Sequence, residues 1–286
     1  MLGHRVARTF QENCETWVTV RGAEDSGFAA EHLPGVHIYP GVDALDFETI
    51  ERAIDEIQPT VIVNCIGIIK QDSLAYDAVT SITVNALLPH QLSILCQQRG
   101  IRLIHVSTDC VFSGKTGGYT ETDFPDCTDL YGRSKFLGEI QRGPALTLRT
   151  SIIGPELRSS RSLLDWFLSQ SGTVNGYTKA IFSGLTTLEL SRVIYRCATD
   201  WSELGGLYQV SADPISKFDL LSLVKSEYGL ETEIQAVSDP AIDRSLNSSL
   251  FREATGYQPP SWTEMVSELA ELAQKASIGG IHVPAR

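Results

Sequence analysis

Tyr131 and Lys135 stand four residues apart in the run Tyr131-Gly132-Arg133-Ser134-Lys135. On a helix that spacing puts both side chains on one face, a turn apart. A phenol with an ordinary pKa near ~10 exchanges protons poorly at neutral pH. An ammonium beside it stabilises the phenolate, lowers that pKa and makes proton exchange with a substrate oxygen practicable. Upstream, Ser107-Thr108-Asp109 closes an apolar run. A hydroxyl from Ser107 or Thr108 at the carboxyl end of a parallel strand sits where open α/β sheets bind their ligands. The Tyr–Lys pair alone also fits a surface helix on which both residues are merely solvated.

Such residues act only if strands and helices hold them in place. β-Branched, apolar runs predict strands over 17–20, 36–39, 60–66, 101–107 and 145–153, with helical patterns over 47–57, about 74–99 and 131–141. The strand runs are hydrophobic throughout rather than alternating, as in parallel strands covered on both faces. Alternation of strand and helix then predicts an α/β fold with a doubly wound parallel sheet. Beyond Gly154-Pro155 the pattern loosens. A helix over 162–169 leads into a loop-rich stretch reaching 187, and another helix runs to about 199. A strand over 207–210, a helix over 217–228, a short strand near 233–237 and a closing helix over 262–275 follow, with a frayed tail over 276–286. This last third is expected to form a smaller carboxy-terminal lobe that covers a substrate.

Composition narrows the function classes. The 286 residues are 42% hydrophobic and 20% charged, an ordinary globular balance, with a net charge of -12. So acidic a chain repels phosphate backbones, which argues against nucleic acid as a partner. A nucleotide-sized ligand stays compatible, since a few local N–H groups and cations suffice to bind it. Six scattered cysteines with no CxxC pair are typical of a reducing cytosol. No run of about 18 apolar residues spans a membrane, and Arg5 and Arg8 precede no apolar signal-peptide centre. A cytoplasmic location without membrane attachment is expected. The six histidines show no ligand spacing, so no metal is expected. Gly114-Lys115-Thr116 lacks the first glycine of a phosphate-binding P-loop, because Asp109 stands there.

The runs from Ser107 to Gly114, Gly118-Tyr119-Thr120-Glu121 and Tyr131 to Glu139 together resemble the extended short-chain dehydrogenase/reductases. Within them the chain most resembles the dTDP-4-dehydrorhamnose reductase family, whose members reduce a nucleotide-linked 4-keto-6-deoxy sugar. Arg244-Ser245-Leu246-Asn247-Ser248 and Pro260-Ser261-Trp262 echo the family's closing pattern, so the likeness covers nearly the whole chain. It implies a Rossmann-type NAD(P)-binding domain over residues 1–153. Residues 154–286 would be mainly a substrate-binding lobe, with part of 180–210 returning to the first domain. It implies Tyr131 as proton donor, Lys135 as its electrostatic partner and holder of the nicotinamide ribose, and Thr108 as hydrogen-bond donor to the reacting oxygen. Asp109 would lie close to the sugar. Cofactor contacts are implied for Leu2 and Gly3, for Asp46 and Phe47 at adenine, for Cys65, Ile66 and Gly67 on the nicotinamide side, and for Asn85 in the next helix. Arg21, after the second of the family's strands, favours NADPH over NADH because a guanidinium matches a 2′-phosphate; a solvated loop arginine is the bland alternative. A homodimer is compatible with the family.

Three departures qualify the resemblance. The family opens with a strand and a Gly-x-x-Gly-x-x-Gly turn, whereas Met1-Leu2-Gly3-His4-Arg5 reads as the end of that turn and the helix after it. The sheet is therefore expected to lack its central first strand and to leave its neighbours with unpaired edges; a start site assigned too late is the simplest account. Ile152-Ile153 replaces a tryptophan that packs on the sugar, which leaves the sugar open, and Cys127-Thr128-Asp129 replaces a Pro-x-Asn approach. Two rivals remain: a non-catalytic NADP-binding regulatory subunit resembling that of methionine adenosyltransferase, and a nucleotide-sugar epimerase.

Overall fold

A computed structural model describes residues 1–70, 76–158 and 161–278. Chain order begins α1 (Leu2–Gln11), β1 (Trp17–Thr19), α2 (Ala23–His32), β2 (His37–Tyr39), α3 (Phe47–Ile57), β3 (Val61–Asn64) and α4 (Ala78–Ile82). A π-helical turn, Thr83–Leu87, joins α4 to α5 (Leu88–Arg99), and β4 (Arg102–Thr108) runs into a 3₁₀ turn, Asp109–Val111. Then come α6 (Leu130–Leu137), β5 (Leu146–Thr150), β6 (Ile152–Ile153), α7 (Leu163–Leu168), β7 (Thr173–Tyr177), β8 (Ala180–Phe182) and β9 (Leu185–Thr186). The chain continues through α8 (Thr187–Ala198), β10 (Gly206–Gln209), β11 (Ile215–Ser216), α9 (Lys217–Tyr228), β12 (Glu233–Val237), β13 (Ile242–Asp243), α10 (Ser249–Thr255) and α11 (Trp262–Ile278).

The main sheet has four parallel strands in the order β10-β5-β4-β3, with Ile104 opposite Leu146 and Val106 opposite Leu148. Every residue of β5 is buried, which is why its sequence is continuous rather than alternating. Burying Ile104, Leu146 and Leu148 contributes about 1.5–3 kcal/mol each. Helices cover both faces. On one, α1 packs against α8; on the other, Ile50, Ala53 and Ile54 of α3 meet Leu88, Leu92 and Leu95 of α5. The apolar positions of α3 recur at i, i+3 and i+4, the stripe of a helix with one buried side. Ala78–Arg99 is long and apolar enough to cross a membrane by length and composition, but half of it is buried against this core.

β1 and β2 form a separate parallel pair. Among the described residues no strand lies between β1 and β3, and a cavity of about 1260 Å³ separates them. Trp17, Val18 and Thr19 wall it on one side and Val61, Ile62 and Val63 on the other. Leu2, Val6 and Phe10 of α1 close one face; Ile50, Ala53, Ile54 and Leu92 close the other. The break in the sheet falls where the sequence predicts it.

Elsewhere the structure redraws the expected boundaries. The strand predicted over 145–153 breaks at Ser151: β5 stays in the main sheet, while β6 leaves it to pair with β9. The helix expected over about 74–99 is described from Ala78 and interrupted by the π turn; its predicted start at 74 lies outside the described residues. The loop-rich stretch before 187 contains β7, β8 and β9. β8 and β9 are too short for period-2 patterning, β7 alternates in burial but with Gly176 at one of its buried positions, and the partners are distant: β12 for β7, β11 and β13 for β8. Of the frayed tail expected over 276–286, residues 276–278 instead continue α11, and 279–286 lies outside the described residues.

Candidate active site

β4 ends at Thr108, and the turn that follows is capped by that residue's own side chain. Thr108 Oγ1 accepts from the Cys110 N–H at 3.1 Å and donates to Asp109 Oδ1 at 3.2 Å. Ser107, one residue earlier on the alternate face, donates instead to Glu139 at 2.7 Å. Of the two candidate hydroxyls, Ser107 is thus taken up by Glu139, and Thr108 is the one that bears on the Tyr131 phenol.

α6 begins when Asp129 accepts from the Gly132 N–H at 2.9 Å. Gly132 explains its own place between Tyr131 and Lys135. A Cβ there would lie 2.4 Å from the Cys110 carbonyl and 2.8 Å from Cys127 Cβ, so only glycine lets the helix rest on the 3₁₀ turn. With that contact made, Thr108, Asp109, Cys110, Tyr131 and Lys135 all line the cavity.

The electrostatics run differently from the simple expectation. Burial dominates at Tyr131 and pushes its proton affinity up; Cys110, Asp109 and Asp129 add to this, and the Thr108 hydrogen bond opposes it. Lys135 is 5% exposed, donates to the Val106 carbonyl at 2.8 Å, and is pulled down to about 8 by burial, against Glu139 and Cys65. Lys70, which the sequence reading passed over, sits 5.7 Å from the centre of the Tyr131 ring and pairs with Asp129 at 3.0 Å. Asp109 is buried and raised by desolvation, which Arg244 offsets.

The loop after β3 forms the facing wall. Asn64 Oδ1 accepts from the Ile66 N–H at 3.0 Å, and Asn85 clamps Ile68 in both directions, accepting from its N–H at 2.9 Å and donating to its carbonyl at 3.0 Å. The Asn85 amide also reaches Ser134 Oγ on α6 at 3.1 Å. A Cβ on Gly67 would lie 3.3 Å from Asn85 Oδ1 and 3.8 Å from Lys135 Nζ, so the bare backbone keeps the approach to Lys135 open. Leu2, Gly3, Cys65, Ile66 and Gly67 line the cavity, and Asn85 stands behind the loop as its clamp. Arg21, Asp46 and Phe47 do not line it. Arg21 and Asp46 are exposed, Arg21 just after the lining Val20, while Phe47 packs on the α3–α5 core.

Glu139 and Arg149 also escaped the sequence reading. Arg149 donates to Glu139 from Nε at 2.9 Å and from Nη2 at 2.6 Å, and both side chains are essentially inaccessible. Their one signal is an acidic and a basic residue inside otherwise apolar runs.

The sequence profile of the RmlD substrate binding domain matches residues 1–275. The chain belongs to that family. Among relatives of the family fold, the solved dTDP-4-dehydrorhamnose reductase of Bacillus anthracis, in complex with NADP, superposes with a TM-score of 0.73 at 21% identity over 89% of this chain and 97% of that one. A probable low-salt glycan biosynthesis reductase of Haloferax volcanii is 34% identical over 49% of this chain, a match spanning only 44% of that protein's length. The spore coat polysaccharide biosynthesis protein SpsK of Bacillus subtilis is 25% identical over 81% of this chain and 86% of its own.

Proposed function

We propose that this member of the family is an NAD(P)H-dependent reductase of the 4-keto group of a nucleotide-linked 4-keto-6-deoxy sugar, serving synthesis of polysaccharide precursors in the cytoplasm. The observation that carries the reading is the convergence of Thr108, Tyr131 and Lys135 on one cavity wall opposite the Gly67 loop. The names of the relatives, two of them polysaccharide or glycan biosynthesis proteins, point the same way. Residues 1–153 would hold the dinucleotide and residues 154–286 mainly the sugar, with α8 and β10 returned to the main sheet.

The residues present fit a dinucleotide at the nicotinamide end, where the glycine wall leaves Lys135 approachable. Leu2, Gly3 and the 65–67 loop would hold it there. Arg21, exposed just past Val20, would pair with a 2′-phosphate and so favour NADPH over NADH. When bound, the reduced nicotinamide supplies hydride to carbon 4 of the sugar. The proton comes from this chain. Burial keeps the Tyr131 phenol protonated in the resting state, the form a reductase needs, and it gives its proton to the oxygen that becomes hydroxyl. Thr108 orients the same oxygen, and the Lys135 ammonium steadies the phenolate left behind.

The test is turnover of NADPH with a dTDP-linked 4-keto-6-deoxy sugar. Tyr131→Phe should lower kcat by about 100-fold or more while cofactor affinity stays within about twofold. A Tyr131→Phe enzyme at wild-type rate overturns the assignment. Cofactor bound but never consumed by the unaltered chain would instead mark a regulatory subunit.

A further inference from the structure

The ion pair of Glu139 and Arg149 lies outside the residues assigned to catalysis, yet it touches their support from two sides. Glu139 stands one helical turn after Lys135 on α6 and just beyond the helix end, with no exposure of its side chain. Its carboxylate takes three hydrogen bonds: two from Arg149 of β5 and one from Ser107 of β4, next to Thr108. Arg149 is fixed in turn by the Phe112 ring, 4.9 Å from its guanidinium carbon, and that ring stacks on Tyr119 at 4.0 Å. A buried pair of this kind adds little net stability compared with apolar residues of similar volume, so its placement asks for another reason.

We propose that Glu139 is a positioning residue: held by Arg149, it locks the end of β4 through Ser107 and keeps Lys135 in its ammonium form inside the desolvated site. The proposal rests on the reductase reading for its purpose, but not for its test. Three other titratable groups face Lys135: Cys65 from the loop after β3, His105 from β4 and Tyr131 from α6 itself. Of these, the Cys65 thiol is pushed up to about 12 and His105 is held neutral by burial, so neither supplies a negative charge near neutral pH. Glu139 is thus the carboxylate that offsets the desolvation of Lys135, which otherwise drives its pKa below the present value of about 8.

The experiment is an NMR titration of the full chain labelled at lysine Cε, without cofactor or substrate. With seven lysines, the Lys135 signal is assigned by its loss in Lys135→Met. Glu139→Gln alone strands the Arg149 charge and risks unfolding, so the decisive variant is Glu139→Gln with Arg149→Met, which removes both charges at similar volume. Its Lys135 inflection should fall by about one pH unit or more, and the alkaline limb of kcat/KM should fall with it. Ser107→Ala, which keeps both charges, should leave the inflection in place. An unmoved inflection in the folded double variant overturns the proposal, as does an equal shift in Ser107→Ala. Absence of turnover by the unaltered chain, with the inflection shifted in the double variant, would sink the reductase reading alone.

Discussion

At Gly132 a single hydrogen atom in place of a methyl group decides whether α6 can rest on the turn after β4. The Cys110 carbonyl and the Cys127 side chain both lie inside the space a Cβ would need, and neither is the free end of a flexible chain. Gly132→Ala should therefore cost roughly 1–3 kcal/mol in urea unfolding and lower activity by displacing Tyr131; a variant within about 0.5 kcal/mol of wild type, the margin of a neutral surface change, would refute the contact. The Lys135 ammonium has an opposite sensitivity. Its pKa of about 8 in the fold is below the unfolded value, so the protonated form is lost as pH rises through about 8. Reduction should accordingly fade above that pH in the ligand-free enzyme's kcat/KM profile.

The π turn is the element that a residue pattern does not announce. One extra residue per turn at Thr83–Leu87 swings Asn85 toward the Ile66–Ile68 loop and brings the Asn85 carbonyl against Gly138 at the end of α6. Such turns are common at functional sites because they redirect one side chain without ending the helix. Asn85→Ala leaves the N–H and carbonyl of Ile68 without their partner, a loss of about 1–3 kcal/mol. We expect faster amide exchange at Ile68 and weaker cofactor binding, with little change in exchange across α11. Unchanged exchange at Ile68 would mean the clamp is not what holds the loop.

Across the molecule, two features set how it responds to its surroundings. His4, on α1, has an unpartnered Nδ1 and is lowered to about 3 by burial, and His105 is lowered well below its usual value for the same reason. Both bind protons more readily when unfolded. For His4 the contribution to stability is full above pH ~6.5 and is lost as pH falls toward about 3, by up to about 1.4 kcal/mol per pH unit, and His105 acts in the same direction. His4→Leu should flatten that decline in a denaturation series between pH 4 and 7; a parallel curve would exclude His4 as a source. The second feature is the cavity between β1 and β3. Between the two strands its walls are mainly apolar, with Val18, Val20, Val61 and Ile62, and the strand edges face each other unpaired among the described residues, a poor arrangement for backbone groups. Fusing an extended apolar segment and a Gly-x-x-Gly turn ahead of Met1 should raise the melting temperature and tighten NADPH binding. A fusion that does neither would show that the slot does not accept a strand.

Much of this was legible in the chain itself. Continuous β-branched runs mark buried parallel strands because both faces are covered, and this reports the environment of β4 and β5; β3, alike in sequence, is only half-buried because it borders the cavity. Tyr131, Lys135 and Thr108 were visible because their chemistry depends on local spacing and on the end of a strand. What sequence could not report were contacts made between elements far apart in the chain. The small strands β7, β8 and β9 exist only because distant partners complete their hydrogen bonds. Glu139 and Arg149 look like stray charges until β5 and the turn after α6 bring them together. Even the direction of the Tyr131 shift belongs to the fold: helical spacing predicts a nearby ammonium, but burial depends on what packs around the phenol, and burial dominates.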